Sequence, residues 1–302
     1  MSKRIVIALG GNALLRRGEP LTEETQRRNA EVAAEVLARV ATKHDCVLTH
    51  GNGPQIGLLA LESEAYKEVA PYGLDVLGAE SQGMIGFLLQ QALHTRLPGR
   101  EIATLLTTVL VGTCDPAFAK PTKPIGPVYG REVAERLAVE RGWRIDPDGA
   151  GFRRVVPSPE PLSILELTAI RTLADAGVLV ICSGGGGVPV IRRYDGRLDA
   201  VEGVVDKDLT SALLAEKLGA DELVLLTDVR HVELGWRTPE AVSLRETTVT
   251  ELRGHVFEAG TMGPKVEAAC RFVERTGRPA AIGALEEADA IVEGSAGTRI
   301  VP

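Results

Sequence analysis

The sequence predicts an α/β fold built on a mostly parallel, open central sheet. Two observations carry that expectation. Short apolar runs ending in glycine alternate with longer stretches whose apolar residues recur at helical spacing, the signature of βαβ units. Ala, Val, Leu and Gly dominate while aromatics make up only 4% of residues, a composition suited to helices packed on strands buried on both faces. A chain of 302 residues can hold one such domain, arranged as two closely joined lobes.

The elements follow in order along the chain. Arg4 to Leu9 is an unbroken apolar strand ending at Gly10-Gly11, and Val32, Val36, Leu37 and Val40 mark a helix within Thr22 to Thr42. A second strand, Cys46 to Thr49, runs into Gly51-Asn52-Gly53-Pro54; a long helix spans Asp75 to Thr95, and a strand lies around Ile102 to Val111. From Cys114 to about Pro157 the chain turns Pro/Gly-rich and charged with few periodic apolar positions, which reads as an insertion outside the main sheet. Alternation resumes with a helix near Ile164 to Ala176, a strand at Val178 to Cys182, and Gly184 to Gly187. A hairpin at Tyr194 to Val204, a helix from Lys207, a strand at Glu222 to Leu226, a helix around Pro264 to Thr276 and strands at Ala280 to Ile282 and Thr298 to Val301 complete the reading.

The formal charge of -7 argues against a nucleic-acid surface, which needs a basic face. The four cysteines, Cys46, Cys114, Cys182 and Cys270, are far apart and match no metal-ligand spacing, so no metal site is assigned to side chains. Neither a signal-peptide pattern nor a run of ~20 apolar residues is seen, so a reducing cytoplasmic setting without membrane contact is expected.

Three strands end in glycine turns, Gly10-Gly11-Asn12, Gly51-Asn52-Gly53 and Gly184 to Gly187. In a parallel sheet these turns share the carboxyl edge, where open α/β folds bind ligands. Glycine lets backbone N–H groups approach an anion, and a following helix N-terminus adds partial positive charge. A single such turn could be only a tight strand-to-helix connection; three on one edge point to an anion site. The P-loop pattern is absent, and Gly51, Gly53 and Gly57 only approximate the dinucleotide fingerprint. A dehydrogenase reading also leaves the lysines unexplained. Lys207, between Asp206 and Asp208, and Lys265, after Met262-Gly263-Pro264, both stand at helix starts, where the macrodipole disfavours a cation unless an anion is present. Lys123 lies in a proline-stiffened loop, Pro121 to Pro127. Together these point to phosphate.

With these motifs the sequence resembles the carbamate kinases of the amino acid kinase superfamily. The matching blocks are Ala8 to Leu14, Thr49 to Gln55, Asp115 to Phe118, Pro121 to Pro127, Arg153 to Pro159, Gly184 to Val190, Asp206-Lys207-Asp208 and Met262 to Lys265. They span nearly the whole chain, and P-T-K-P-I-G-P is the most specific. Lys120, Gly112 to Cys114 and Arg230 to Glu233 depart from the family pattern.

The resemblance implies a three-layer αβα sandwich. Residues to about 190 would form an acceptor-binding lobe carrying a protruding subdomain at 114–157, and residues 191–302 an ATP-binding lobe. It implies reversible phosphoryl transfer between ATP and carbamate, giving ADP and carbamoyl phosphate, with Mg2+ and a homodimer. Lys207, Lys265, Asp208, Lys123 and Asn12 would be catalytic, with Asp208 orienting the lysines and Lys123 reaching toward the acceptor. Gly10, Gly11, Gly51, Asn52, Gly53, Gly185 and Gly186 would bind substrate; Thr227, Asp228, Met262 and Gly263, with Lys207 and Lys265, would bind ATP. Two other readings stand beside this: an amino-acid carboxylate kinase on the same fold, and a non-catalytic nucleotide or carbamoyl phosphate sensor. His50 reads as a structural hydrogen-bonding residue. Ser81 and Ser183 have no paired histidine and are poor nucleophiles. Met84, Phe87 and Leu88 read as core or dimer contacts.

Overall fold

The computed structural model describes residues 2–16, 18–236, 238, 240–257 and 262–302, without the side chains of Asn12 and Ala13. Its centre is an eight-stranded sheet in the order Glu246–Thr248, Thr298–Val301, Ala280–Ala284, Glu222–Thr227, Arg4–Leu9, Asp45–His50, Leu179–Ile181, Ile102–Thr104. Neighbours pair parallel throughout except Ala280–Ala284 against Thr298–Val301.

Side chains alternate across this sheet and build two cores. On one face Val6, Ala8, Val47, Val180, Leu223 and Leu225 pack with Leu214 of the helix Lys207–Leu218 and Phe272 of the helix Met262–Thr276. On the other, Ile5, Ile7, Leu9, Leu48 and Ile181 meet Leu37 of the helix Glu23–Ala41 and Leu89 of the helix Leu74–Arg96. Because both faces are covered, the strands read as unbroken apolar runs, and the three-layer αβα sandwich follows. Thr22 caps the helix Glu23–Ala41 by accepting from Thr25 N, which fixes where that helix starts.

Residues 123–156 form their own three-stranded sheet, Lys123–Tyr129, Gly151–Val156 and Arg144–Asp148, joined by the helix Arg131–Arg141. Lys123 therefore lies on a strand, opposite Val156, and not in a loop. The apolar run Ile102 to Val111 is also two strands. Ile102–Thr104 belongs to the central sheet, while Thr108–Val111 joins a four-stranded sheet with Leu198–Ala200, Val188–Arg192 and Pro161–Ile164. Periodicity does not show such a break because both pieces are apolar. The hairpin lies earlier than the sequence suggests, at Val188–Arg192 against Leu198–Ala200. Consequently Gly184 to Gly187 leads into a strand, and no helix N-terminus follows it. The helix Gly53–Ala65 has no counterpart in the sequence reading. Among the described residues no helix is long and apolar enough to cross a membrane.

Candidate active site

Four adjacent strands deliver the site. The ends of Glu222–Thr227, Arg4–Leu9, Asp45–His50 and Leu179–Ile181 stand side by side, so Thr227-Asp228, Gly10-Gly11, Gly51-Asn52-Gly53 and Ser183 to Gly187 share one edge. Gly10 N donates to Leu226 O at 2.9 Å. A Cβ on Gly51 would lie 3.0 Å from Gly11 N and 3.5 Å from Lys207 Cε, so the first two turns touch and the lysine reaches them. Gly185, at φ +62°, presses on Asn52: a Cβ there would sit 2.1 Å from Asn52 Nδ2. Gly186 packs closely on Val205 O, just before Asp206: a Cβ there would sit 2.5 Å from it.

Asn52 precedes the helix Gly53–Ala65 yet makes no side-chain cap; its Nδ2 donates instead to Ser81 Oγ at 2.8 Å. The first-turn N–H groups of that helix thus carry no side-chain acceptor, and the space where Gly53 would bear a Cβ is open. This is the arrangement an anion uses at a helix N-terminus. Asn12 belongs by its backbone to the short helix Gly11–Leu14, but its side chain lies outside the described residues.

The charged centre is held by two aspartates. Asp206 caps the helix Lys207–Leu218: its Oδ1 accepts from Asp208 N at 2.9 Å and Leu209 N at 3.4 Å. Its Oδ2 accepts from Lys123 Nζ at 2.7 Å, joining the inserted sheet to this helix. Asp208 is buried and accepts from both Lys207 Nζ, at 2.5 Å, and Lys265 Nζ, at 2.9 Å. One carboxylate shared by two ammonium groups leaves that trio with a positive charge to offer a ligand.

Burial sets the electrostatics. It pulls the Lys207 ammonium down to about 8, assisted by the neighbouring Lys265 charge and opposed by Asp208. Burial also acts against the Lys265 charge, but Asp208, Asp206 and Asp228 outweigh it and raise that group. Asp208, although desolvated, is held far below the usual carboxylate range by the two lysines. His50 is buried and pushed down to about 4. Its Nδ1 lies 3.1 Å from Gly51 O, which can only accept, so the neutral ring donates there. A Cβ on Gly184 would collide with the same ring at 2.5 Å. His50 is a structural residue of the turn.

On the other flank Thr227 Oγ1 donates to Asp228 Oδ1 at 3.2 Å. Gly263 lies in the first turn of the helix Met262–Thr276, and Met262 packs against the apolar core. Arg230, in the segment that departs from the family pattern, pairs with Glu287 at 3.5 Å. Sequence reasoning named Asp206 only as a neighbour of Lys207 and gave it no role, although an Asp directly before a helical run is an N-cap signal. It weighed Ser81 only as a nucleophile and passed over the buried Gln82 and Thr107, which carry no motif of their own.

Comparison with known proteins places the whole chain in a family. The family model described as the amino acid kinase family matches residues 3–284. The chain is 53% identical to a carbamate kinase of Rhizobium meliloti, over 98% of this chain and 93% of that one. It is 47% identical to a carbamate kinase of Pyrococcus furiosus, over the full length of both. A solved carbamate kinase of Giardia lamblia bound to AMP-PNP superposes with a TM-score of 0.91 at 40% identity, covering 99% of this chain and 98% of that one. The chain belongs to the amino acid kinase family, on its carbamate kinase branch.

Proposed function

We infer that this chain is a kinase that transfers a phosphoryl group reversibly between ATP and carbamate, giving ADP and carbamoyl phosphate. The observation that carries the chemistry is Asp208 holding Lys207 and Lys265 together beside the Gly11 and Gly51 turns. The full-length similarity to carbamate kinases carries the choice of acceptor.

Carbamate is already anionic, so its oxygen attacks the γ-phosphorus without a general base, and none is offered: His50 is buried, neutral and engaged. A new O–P bond forms as the bond to the ADP oxygen breaks, and negative charge spreads over the transferring group and the leaving oxygen. Lys207, Lys265 and backbone N–H groups at the glycine turns meet that charge in fixed positions. Lys123 is the acceptor-side cation, held by Asp206. Asn12, Gly10, Gly11, Gly51, Asn52, Gly53, Gly185 and Gly186 line the acceptor and transfer region; Thr227, Asp228, Met262 and Gly263 belong to the nucleotide side. This divides the chain into an acceptor lobe to about residue 190, with 114–157 overhanging it, and a nucleotide lobe at 191–302.

Magnesium fits as a companion of the nucleotide. Among the described residues no group of three side chains could cage a metal ion, and Asp206 and Asp208 already serve lysines. Phosphate oxygens would hold most of its coordination, with Asp228 the carboxylate at the nucleotide strand end, and the ion would neutralise phosphate charge. We further assign the protein to the cytoplasm as a homodimer, with Cys46, Cys182 and Cys270 free and buried as in a reducing compartment.

A coupled assay tests the reading. The purified protein should make ATP from ADP and carbamoyl phosphate with magnesium, and should consume ATP with fresh carbamate but not with glutamate or aspartate. Activity with an amino acid instead would favour the carboxylate-kinase reading, and silence in both directions with retained ADP binding would favour a sensor.

A further inference from the structure

Two consecutive buried residues of the helix Leu74–Arg96 hold two different glycine turns. Ser81 accepts from Asn52 Nδ2 and donates to Gly78 O at 2.7 Å, fixing the Gly51-Asn52-Gly53 turn. Gln82 faces the point where the chain leaves the central sheet, between Ile102–Thr104 and Thr108–Val111. Its Oε1 accepts from Thr107 N at 2.9 Å and its Nε2 donates to Thr107 O at 3.1 Å. The amide thus pairs with both main-chain groups of one residue, as a neighbouring strand would.

Thr107 passes that placement on. Its Oγ1 accepts from Ser183 N at 2.9 Å and donates to Leu105 O at 3.1 Å, and its carbonyl also accepts from Val188 N at 2.9 Å. Both ends of the Gly184 to Gly187 turn are therefore tied to one residue. The tie is needed, because Ser183 has φ +51°, the one left-handed non-glycine among the described residues. Such a conformation persists only where its surroundings over-determine it. Gln82 Cγ also lies 2.9 Å from where Gly184 would carry a Cβ. Gln82, Thr107 and Ser183 are all essentially inaccessible to solvent, and buried polar groups of this kind cost stability unless paired.

We propose that Gln82 and Thr107 are positioning residues of the acceptor subsite, setting the Gly184 to Gly187 turn against Asn52 so that the acceptor meets preformed N–H groups. The inference rests on the acceptor reading given above. Neither residue touches substrate; each acts through Ser183 and the turn. Thr227, Asp228, Met262 and Gly263 of the nucleotide side make none of these hydrogen bonds; the turn meets the helix Lys207–Leu218 through Thr210, whose Oγ1 donates to Gly186 O at 2.9 Å.

The test is kinetics in the ADP plus carbamoyl phosphate direction, paired with amide hydrogen exchange of segment 183–187 in the whole protein. Thr107→Val keeps the shape but removes the acceptor for Ser183 N, whereas Thr107→Ser keeps it. Gln82→Glu replaces the Nε2 donor with an oxygen facing Thr107 O. Thr107→Val and Gln82→Glu should raise the KM for carbamoyl phosphate about tenfold, the loss of roughly one buried hydrogen bond, with the KM for ADP within about twofold. Exchange at 183–187 should quicken, and Thr107→Ser should restore both readouts. If Gln82→Glu does not fold, the Thr107 pair decides alone. Unchanged constants in a folded Thr107→Val, or equal rises in both KM values, would overturn the assignment. A wild type inactive on carbamoyl phosphate would count against the acceptor reading, while exchange at 183–187 unaltered by Thr107→Val would separately sink the positioning network.

Discussion

Two buried carboxylates at opposite edges of the same sheet each take two cations, and they do different work. At the amino edge Glu222, fully buried, meets Lys3 at 2.9 Å and Arg299 at 3.5 Å, side chains that are 39% and 32% exposed. At the carboxyl edge Asp208 meets Lys207 and Lys265, which are only 11% and 12% exposed. The exposed parts of Lys3 and Arg299 leave their remaining charge to solvent, so that cluster fastens strand ends. The lysines around Asp208 have little water and stand beside uncapped N–H groups, so their remaining charge is available to an anion. A buried ion cluster is a fastening when its cations are wet and a binding device when they are dry.

The comparison can be broken in several ways. Asp208→Asn should have the largest effect, because it leaves two buried lysines facing each other without a counter-charge; removing one partner of a buried pair costs about 3–5 kcal/mol. Turnover should fall as well, since the lysines lose their orientation. Denaturant unfolding beside steady-state rates checks this, and a stable variant would mean the lysines are better hydrated than their burial implies.

The next effect is on pH dependence. His50 stays neutral in the folded state down to about 4, whereas unfolding restores its ordinary value of 6.5. As pH falls from 6.5 to about 4 the unfolded chain gains a proton that the folded chain refuses, so stability drops, by up to about 3 kcal/mol. His50→Gln should lack that part of the acid loss. Equal acid sensitivity in both proteins would show that the ring titrates normally in the fold.

The smallest effect belongs to the amino edge. Lys3→Met removes a cation that is already partly solvated and leaves Arg299 3.5 Å from the buried Glu222, so stability should fall by about 1–2 kcal/mol, with turnover unchanged. A loss comparable to that of Asp208→Asn would erase the distinction between the edges.

How far the sequence revealed this site depends on the kind of signal each part leaves. The strand ends and their glycines were legible because a doubly buried strand is an unbroken apolar run, and Gly10, Gly51 and Gly186 are required by close backbone approaches that leave a glycine in the sequence. Lys207 and Lys265 were legible as cations standing where helix dipoles oppose them. The split of Ile102 to Val111 into two sheets was not, because Leu105 and Leu106 continue the apolar run through the break. Gln82 and Thr107, which make that break tolerable, look like ordinary helix and strand residues until their partners are seen. Lys207 also reads as a surface lysine by type, yet the fold buries it, so its removal relieves first the desolvation of a buried charge and then the repulsion with Lys265.

That point sets the most direct measurement. Lys207→Met and Lys265→Met each keep the aliphatic stem and remove one charge, leaving Asp208 with the other lysine. With ADP and carbamoyl phosphate as substrates, each should lose about 10²–10³ in turnover, as expected for a fixed donor at a developing charge. Each should also lose less stability than Asp208→Asn, because Asp208 keeps one lysine as its counter-charge. Folded variants with near-parent turnover would contradict the claim that this dry, shared positive charge drives phosphoryl transfer.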